Sequence, residues 1–510
     1  MSRRNVVCLL CDQLRPDFLQ VYGCDAVPTP NLNRLAQMGV TFDRAVSCSP
    51  VCSPARASWM TGRYPSDHGV WGNDIPFRDG LDYLPEKMNQ HGYHTGCFGK
   101  LHHTPPLDTK GFRTARQMEE NRLGEQDHYF QWLQRQCPER TDGTIWNFDA
   151  DNLQFKLDEN LHYEHWIASE AMSFMQSVSE TGHEPFFAWV SFQGPHVPLN
   201  PPASVKGTVD PAKLPQPLMH TEGRLCPIHD YRRNIHPAEN DTARIMRERT
   251  AYAECIVNID RQIGRIIEHL EKIGEFERTT FIFSSDHGDL RGDFGLVGKG
   301  PFCFSGQLDV PLVVANHPDL RRGVHSAQLA NNIDIPATVL DIAGGQQGFH
   351  MSRSLLDLAR EQPEFPREMN FSEYGGATKI VEDSRYRFAY YPCLGYAELY
   401  DLSCDPENLQ NLTEDTDKQE LKVRFLQHII DMHVLMKGLE VPGLDFVPEM
   451  QANARKKHPF FDDPHDFRAA FPLNKKMKEK LKKAGYDPNY TNWYKNHQIQ
   501  ADYGQDFEEF

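Results

Sequence analysis

The sequence contains no long hydrophobic run. Its apolar segment nearest the N-terminus, Val6–Cys11, is short and ends at Asp12. A helix that spans a bilayer needs about 20 apolar residues, and a signal peptide needs a longer apolar core behind its basic start. We therefore expect a cytoplasmic protein with no membrane contact, and we interpret Val6–Cys11 as a buried strand.

Positive charge is scarce relative to negative charge. The 510 residues include 54 lysines and arginines against 71 aspartates and glutamates, for a formal net charge of -17. This balance argues against nucleic acid or an anionic membrane as a partner. An anionic substrate would have to be drawn in by a local basic cluster, because the overall field of the protein repels it.

The twelve cysteines lack the paired spacing of a metal knuckle. Cys8 and Cys11 form a Cys-x-x-Cys, but they lie within an apolar strand, where positions three apart face opposite sides. We expect reduced, buried thiols in a cytosolic protein.

What the sequence does contain is typical of a large soluble α/β protein. Apolar residues make up 39% and charged residues 25% of the chain, which is enough for a large core and a second, smaller unit. Continuous apolar runs predict strands buried on both faces of a parallel sheet at Asn5–Cys11, Glu184–Phe192 and Thr279–Ser285. Amphipathic segments predict helices at Thr29–Ala36, Tyr163–Val178 and Thr242–Ile273.

The stretch Ser49–Arg63 organises the chain. It has the pattern of a loop that enters a short helix, with Ser53 as the N-cap and Gly62 just past the end. Cys52 would then precede the positive end of a helix, where anions are favoured and a thiol is more acidic than usual. One turn along, Arg56 offers a planar fork suited to two oxygens of a tetrahedral oxyanion. The pattern predicts a reactive centre for sulfate or phosphate esters.

This Cys-x-Pro-x-Arg pattern, followed by Thr61-Gly62-Arg63, resembles the signature of type I sulfatases, members of the alkaline phosphatase superfamily. The resemblance implies that a formylglycine-generating or anaerobic sulfatase-maturating enzyme converts Cys52 to formylglycine, whose hydrated aldehyde is the nucleophile. It also implies that Arg56 takes part in catalysis. A thiolate phosphatase is the rival interpretation, but its Cys-to-Arg spacing is longer than the three intervening residues found here.

Two strand ends carry candidate metal ligands. Asp12 and Gln13 follow the first apolar strand, and Asp286 and His287 follow the strand at Thr279–Ser285. By resemblance, these four residues and the converted side chain at position 52 hold one divalent metal. Oxygen ligands favour Ca²⁺, which we rank first, whereas the imidazole favours Mn²⁺ or another transition metal.

Candidate substrate ligands follow other predicted strands. Lys100 and His102 lie in a Gly-Lys-x-His element, His196 lies among turn-forming residues, and Lys299 follows a glycine. By resemblance, Lys100, His102 and Lys299 contact the sulfate group, and His196 binds there and protonates the leaving oxygen. Lone histidines are more often structural, so only the location of His196 favours this role.

The resemblance implies an alkaline-phosphatase-like α/β fold, with a large mixed, mostly parallel sheet flanked by helices and a smaller C-terminal α+β subdomain. We expect a catalytic domain at 1–365, a small antiparallel sheet with a helix at 366–440, and an extension at 441–510 that wraps the body or supports a homo-oligomer. Segments 105–160 and 200–240 show no clear periodicity, and we interpret them as long excursions that shape specificity.

Three functions remain open at this point. The first is a sulfatase acting on a small-molecule or saccharide sulfate ester of the aryl, alkyl or sugar type. The second is a phosphonate monoester or phosphodiester hydrolase of the same fold, favoured by Gln13 and His287, where many sulfatases carry Asp and Asn. The third is a metal- and anion-binding protein without turnover, which is expected if Cys52 stays a thiol.

Overall fold

The computed structural model describes residues 3–138, 144–182, 184–219, 229, 241–345, 349 and 351–438. Within these residues the strands are, in chain order, β1 Asn5–Asp12, β2 Gly39–Val46, β3 His94–Gly99, β4 Thr114–Gln117, β5 Phe148–Asp149, β6 Gln154–Phe155, β7 Phe186–Pro195, β8 Thr279–Ser285, β9 Leu312–Ala315, β10 Val324–Asn331, β11 Asn370–Tyr374, β12 Thr378–Glu382, β13 Tyr386–Tyr391 and β14 Tyr396–Asp401. The α-helices are α1 Pro30–Gln37, α2 Cys52–Thr61, α3 Pro65–His68, α4 Leu84–Gln90, α5 His128–Gln136, α6 Tyr163–Thr181, α7 Thr242–Lys272, α8 Ser305–Leu308, α9 Ile335–Ile342, α10 Leu355–Leu358 and α11 Gln419–Gly438.

An eight-stranded sheet forms the centre of the molecule. Its strands lie in the order β10-β2-β9-β8-β1-β7-β3-β4. Neighbours are parallel, except that β9 is antiparallel to both β2 and β8. The predicted mixed, mostly parallel sheet is confirmed.

The two faces of this sheet carry separate hydrophobic cores. Cys11 and alternate residues of β1 belong to a core that includes buried residues of α6 and α7. Cys8 and the intervening residues belong to a second core with buried residues of α2, α4 and α9. Because successive strand residues face opposite sides, β1 supplies both cores. Cys8 and Cys11 lie on opposite faces as predicted, and both thiols are free and buried.

A second, antiparallel sheet has the strand order β11-β12-β13-β14. The α11 helix packs on it through Phe425, whose ring stacks on Phe388 with centroids 5.7 Å apart. The Asn331 side chain, at the end of β10, donates to the carbonyl of Phe371 at 3.0 Å and links this sheet to the central one. The small C-terminal sheet is therefore confirmed, whereas our exact domain limits remain a proposal and the predicted extension at 441–510 lies outside the described residues.

The segment 105–160 contains more regular structure than we predicted. The short β4 pairs with β3 and extends the central sheet, and α5 has Asp127 as its N-cap, whose carboxylate accepts from the Phe130 N–H at 3.0 Å. The prediction that this segment lacks strands and helices is therefore wrong for these two parts. A strand of four residues is too short to show a clear period, and α5 forms behind a polar N-cap residue.

None of the helices in the described residues combines the length and the apolar character required to cross a bilayer.

Candidate active site

Four adjacent parallel strands carry candidate residues to one edge of the central sheet. In spatial order, β8, β1, β7 and β3 end next to Asp286, Asp12, His196 and Lys100. Parallel strands present their carboxyl ends at the same edge, and this edge is where ligands bind in open α/β sheets. The topology therefore brings together residues that are distant in the chain.

A glycine is required where β3 delivers Lys100. Gly99 has φ +91°, and a Cβ there would lie 1.9 Å from the carbonyl oxygen of Ser191 in β7. That same carbonyl accepts from the Lys100 N–H at 3.1 Å. The close approach of the two strands thus fixes the lysine at the sheet edge.

The helix that carries the candidate nucleophile begins earlier than we predicted. α2 starts at Cys52 itself, with Val51 in the N-cap position. Ser53 is not the cap, because its hydroxyl donates to the carbonyl of His102 at 2.9 Å. The Ser53 N–H instead donates to Asn73 Oδ1 at 3.2 Å, so a distant loop satisfies this end of the helix.

Four buried side chains converge at the start of α2. One ligand atom from each of Asp12, Cys52, Asp286 and His287 lies within 4.8 Å of the other three. The Cys52 Sγ is 3.2 Å from His287 Nε2 and 3.7 Å from Asp12 Oδ1. His287 Nδ1 lies 2.8 Å from the carbonyl of Gly288, so Nδ1 carries the proton and the Nε2 lone pair faces the cluster.

Cationic side chains bind the Oδ2 atoms of Asp12 and Asp286. Arg56 Nε donates to Asp286 Oδ2 at 2.8 Å and its Nη2 to Asp12 Oδ2 at 3.2 Å. Lys100 Nζ lies 2.7 Å from the same Asp12 oxygen. The Arg56 side chain is 1% exposed and pairs with both carboxylates, and its contact with substrate oxygens stays a prediction.

The convergent set suits a divalent cation. Burial alone would raise the pKa of the Asp12 carboxyl, but Lys100, His196 and Arg56 hold it well below its usual range. The cluster therefore offers charged carboxylate oxygens and an unprotonated imidazole nitrogen at one buried point, which is the donor set that such a cation requires.

Gln13 lies beside this cluster. Its backbone N–H donates to Asp286 Oδ1 at 3.0 Å, its amide nitrogen donates to Asp289, and its amide oxygen accepts from Lys299 Nζ at 3.1 Å. The structure brings Gln13 to the edge of the site, and its role as a metal ligand stays a prediction.

The Cys52 thiol is not acidic. Burial, followed by the adjacent Asp12 carboxylate, raises the pKa of Cys52 to about 12, despite the opposing effects of Lys299 and Lys100. Our prediction of a thiol more acidic than usual is therefore wrong. Desolvation and a neighbouring negative charge outweigh the favourable position at the helix N-terminus.

His196 and Lys299 lie on the open side of the cluster. His196 Nε2 is 3.3 Å from Lys299 Nζ, and its Nδ1 lies 2.7 Å from the carbonyl of Val197. Burial and then Lys299 lower the pKa of His196 to about 4. His196 lies between the cis peptide bonds Gly194–Pro195 and Val197–Pro198.

His102 is held by residues that the sequence did not single out. Its Nε2 lies 2.8 Å from Arg122 Nη1, whereas its buried Nδ1 has no hydrogen-bond partner among the described residues. Arg122 is paired with Glu119 and Glu120, and Glu120 also contacts Lys100. In the sequence, only the run of charged residues in Glu119-Glu120-Asn121-Arg122 could have indicated that this segment belongs to the site.

Three non-glycine residues at this site have a left-handed backbone. The φ angles are +69° at Gln13, +58° at His102 and +57° at Glu120. Such conformations cost free energy and are concentrated at functional sites. The strain is therefore consistent with a site whose side-chain positions matter more than local stability.

Two family models match the chain. The sulfatase model matches residues 4–345, and the model of the N-sulphoglucosamine sulphohydrolase C-terminal region matches residues 292–434. An arylsulfatase of Clostridium perfringens is 28% identical over 491 residues, which cover 87% of this chain and 99% of that protein. A choline-sulfatase of Rhizobium meliloti is 27% identical and covers 81% of this chain and 83% of its own length.

The fold also matches solved structures. A phosphonate monoester hydrolase of Agrobacterium radiobacter superposes with a TM-score of 0.74 at 24% identity, covering 85% of this chain and 96% of that chain. At this identity, the likeness shows a shared fold.

Proposed function

This chain belongs to the sulfatase family and is a sulfuric ester hydrolase, and we propose that it cleaves a small-molecule or saccharide sulfate through a formylglycine formed from Cys52. The observation that carries this proposal is the convergence of Asp12, Cys52, Asp286 and His287. A maturating enzyme that oxidises Cys52 is the partner that this chemistry requires.

The donor set supports one divalent metal, with Ca²⁺ ranked first because of the carboxylate oxygens and Mn²⁺ second because of His287. Asp12, Asp286, His287 and the side chain at position 52 would hold it, with Gln13 as a further candidate. When bound, the metal supplies Lewis acidity and a strong positive charge. The hydrated aldehyde supplies an oxygen nucleophile and a second hydroxyl that can expel sulfate.

The cationic side chains bind the sulfate group in this proposal. Lys100 and Lys299 approach the cluster from two sides, and His102 contributes its Nδ1, which the described residues leave without a hydrogen-bond partner. Positive groups held in place before the reaction stabilise charge that develops in the transition state. Arg56 is a positioning residue here, since it fixes the carboxylates of Asp12 and Asp286.

His196 protonates the departing oxygen. A proton on this imidazole is readily transferred because burial and Lys299 lower its pKa to about 4, and the negative charge of a bound sulfate would raise that pKa toward neutrality. In His196→Asn we expect kcat/KM for propyl sulfate, with its poor leaving group, to fall by roughly 10²- to 10³-fold. For 4-nitrophenyl sulfate, whose leaving group needs no proton, we expect a fall of less than about tenfold.

The matched control for this measurement is His103→Asn. His103 is also buried, its Nδ1 contacts the carbonyl of Asp108 at 3.3 Å, and it contributes no atom to the cluster of Asp12, Cys52, Asp286 and His287. We expect its substitution to change the rates of both esters by the same small factor. Equal losses with both esters in His196→Asn would show that His196 is not the acid.

A phosphonate monoester hydrolase is the second candidate, favoured by Gln13 and His287 and by the Agrobacterium fold match. We expect kcat/KM for 4-nitrophenyl sulfate to exceed that for 4-nitrophenyl phenylphosphonate by at least about tenfold, since the donors around the cluster suit three equatorial oxygens of sulfate. Both esters share one leaving group, so the ratio reports the transferred group. A ratio that favours the phosphonate would reverse the ranking.

A further inference from the structure

Glu120 places a carboxylate beside Lys100, on the partly exposed side of the active site, which we call the mouth. One of its oxygens contacts Lys100 Nζ, and the other accepts from Arg122 Nη1 at 2.8 Å. The Glu120 side chain is 19% exposed, whereas that of Lys100 is fully buried. Glu120 therefore lies between the ammonium group of Lys100 and solvent.

The Glu120 carboxylate is held in place by Arg122, which is itself paired with Glu119. Arg122 Nη2 donates to Glu119 Oε2 at 2.7 Å, and Glu119 accepts from the backbone N–H groups of Leu101 at 2.6 Å and His102 at 3.1 Å. Arg122 is thus fixed to the strand-end loop that carries Lys100. If a ligand takes the place of Glu120 on Lys100, the Arg122 contact still holds Glu120 at the mouth.

Glu120 also lies on the side where the leaving group departs. Its Oε1 is 4.0 Å from Nδ1 of His196. Burial alone would raise the pKa of Glu120, but Lys100 and Arg122 hold it far below its usual range, so the group stays charged. A fixed negative charge here repels a simple anionic ester, unless the ester carries a positive group that meets it.

We infer that Glu120 determines specificity by binding an ammonium group on the leaving group, so that the preferred substrates are zwitterionic sulfate esters. The inference rests on the proposed function, because it takes the sulfate to lie between Lys100 and the Cys52 cluster. On substrate binding, the sulfate shares the Lys100 donors, and the Glu120 oxygen released from Lys100 accepts from the substrate ammonium.

Two unreactive ligands test this inference without turnover. In 3-aminopropane-1-sulfonate and butane-1-sulfonate, a methylene replaces the ester oxygen, and the two differ only in an ammonium against a methyl group. Calorimetric titration of the metal-loaded, matured enzyme is expected to give roughly 10- to 100-fold tighter binding of the amino ligand. In Glu120→Gln, which keeps the shape and removes the charge, we expect this ratio to fall to about one.

Glu125→Gln is the matched control, since it removes one exposed charge on the same segment and should leave the ratio as in the wild type. Equal binding of both ligands by the wild type, or an equal gain for both in Glu120→Gln, would overturn the inference. The second pattern would identify Glu120 as a competitor for Lys100.

Turnover of 2-aminoethyl sulfate and propyl sulfate is measured separately. Ammonium-selective binding without hydrolysis of any sulfate would therefore refute the proposed function and leave the recognition by Glu120 in place.

Discussion

Replacing Cys52 by alanine is expected to lower kcat/KM for 4-nitrophenyl sulfate by about 10⁴-fold or more. We expect a large loss because position 52 supplies the nucleophile in the proposed mechanism and also contributes one of the four converging ligand atoms. Burial and then Asp12 raise the pKa of Cys52 to about 12, which disfavours the thiolate as the nucleophile. Mass spectrometry of the tryptic peptide from Ala45 to Arg56 is expected to show an aldehyde at position 52 in active enzyme.

The same tryptic peptide contains the control. Cys48 is also buried but contributes no atom to the cluster, so Cys48→Ala should retain the rate and the aldehyde. Full activity in a preparation whose Cys52 is entirely unmodified would contradict the proposal.

A serine at position 52 would allow attack on the sulfate ester but not the later release of sulfate from the enzyme. In Cys52→Ser, we expect the hydroxyl oxygen to lose its proton to solvent and bond to sulfur, while the bond from sulfur to the leaving oxygen breaks and His196 gives that oxygen a proton. The serine sulfate that results has no second hydroxyl to expel sulfate. We expect at most one turnover per molecule and a protein heavier by one sulfo group (SO3), measured by intact-protein mass spectrometry. Continued turnover would show that water, rather than a geminal hydroxyl, releases sulfate.

The central sheet was predictable where its strands are long and apolar. β1, β7 and β8 are buried over their whole length, and each appears in the sequence as a continuous apolar run. β4 has four residues, only one of them buried, so its place in the sheet depends on pairing with β3, which a local pattern does not record. β11 and β12 are fully buried, but Glu373, Lys379 and Glu382 interrupt them, so no continuous apolar run marks them in the sequence.

Some of the site residues could likewise be predicted from the sequence, and others could not. Asp12, Lys100, His196 and Asp286 follow strands that the sequence marks clearly, so their meeting at one sheet edge could be predicted. The position of Glu120 could not, because it follows the short edge strand β4 and depends on an anchor to Arg122. The acidity of Cys52 was predicted with the wrong sign, since its burial beside Asp12 is a property of the folded chain.

The second large effect is expected from Asp12→Asn. Asp12 Oδ2 binds Lys100 and Arg56, and its Oδ1 faces Cys52. Removing its charge leaves these two cations beside a weaker ligand set. We expect metal affinity to fall by more than roughly 100-fold and kcat/KM by about 10³-fold or more. Elemental analysis after dialysis measures the first effect independently of activity.

Asp260→Asn controls for the loss of any buried carboxylate. Asp260 is 3% exposed, but it lies outside the site, where it accepts from the backbone N–H groups of Leu32 at 2.8 Å and Asn31 at 3.2 Å. We expect this change to lower the melting temperature and to leave the metal content unchanged. If Asp12→Asn kept its metal and lost only stability, Asp12 would be a partner of Arg56 and Lys100 alone, and the metal would have to be held by Asp286, His287 and position 52.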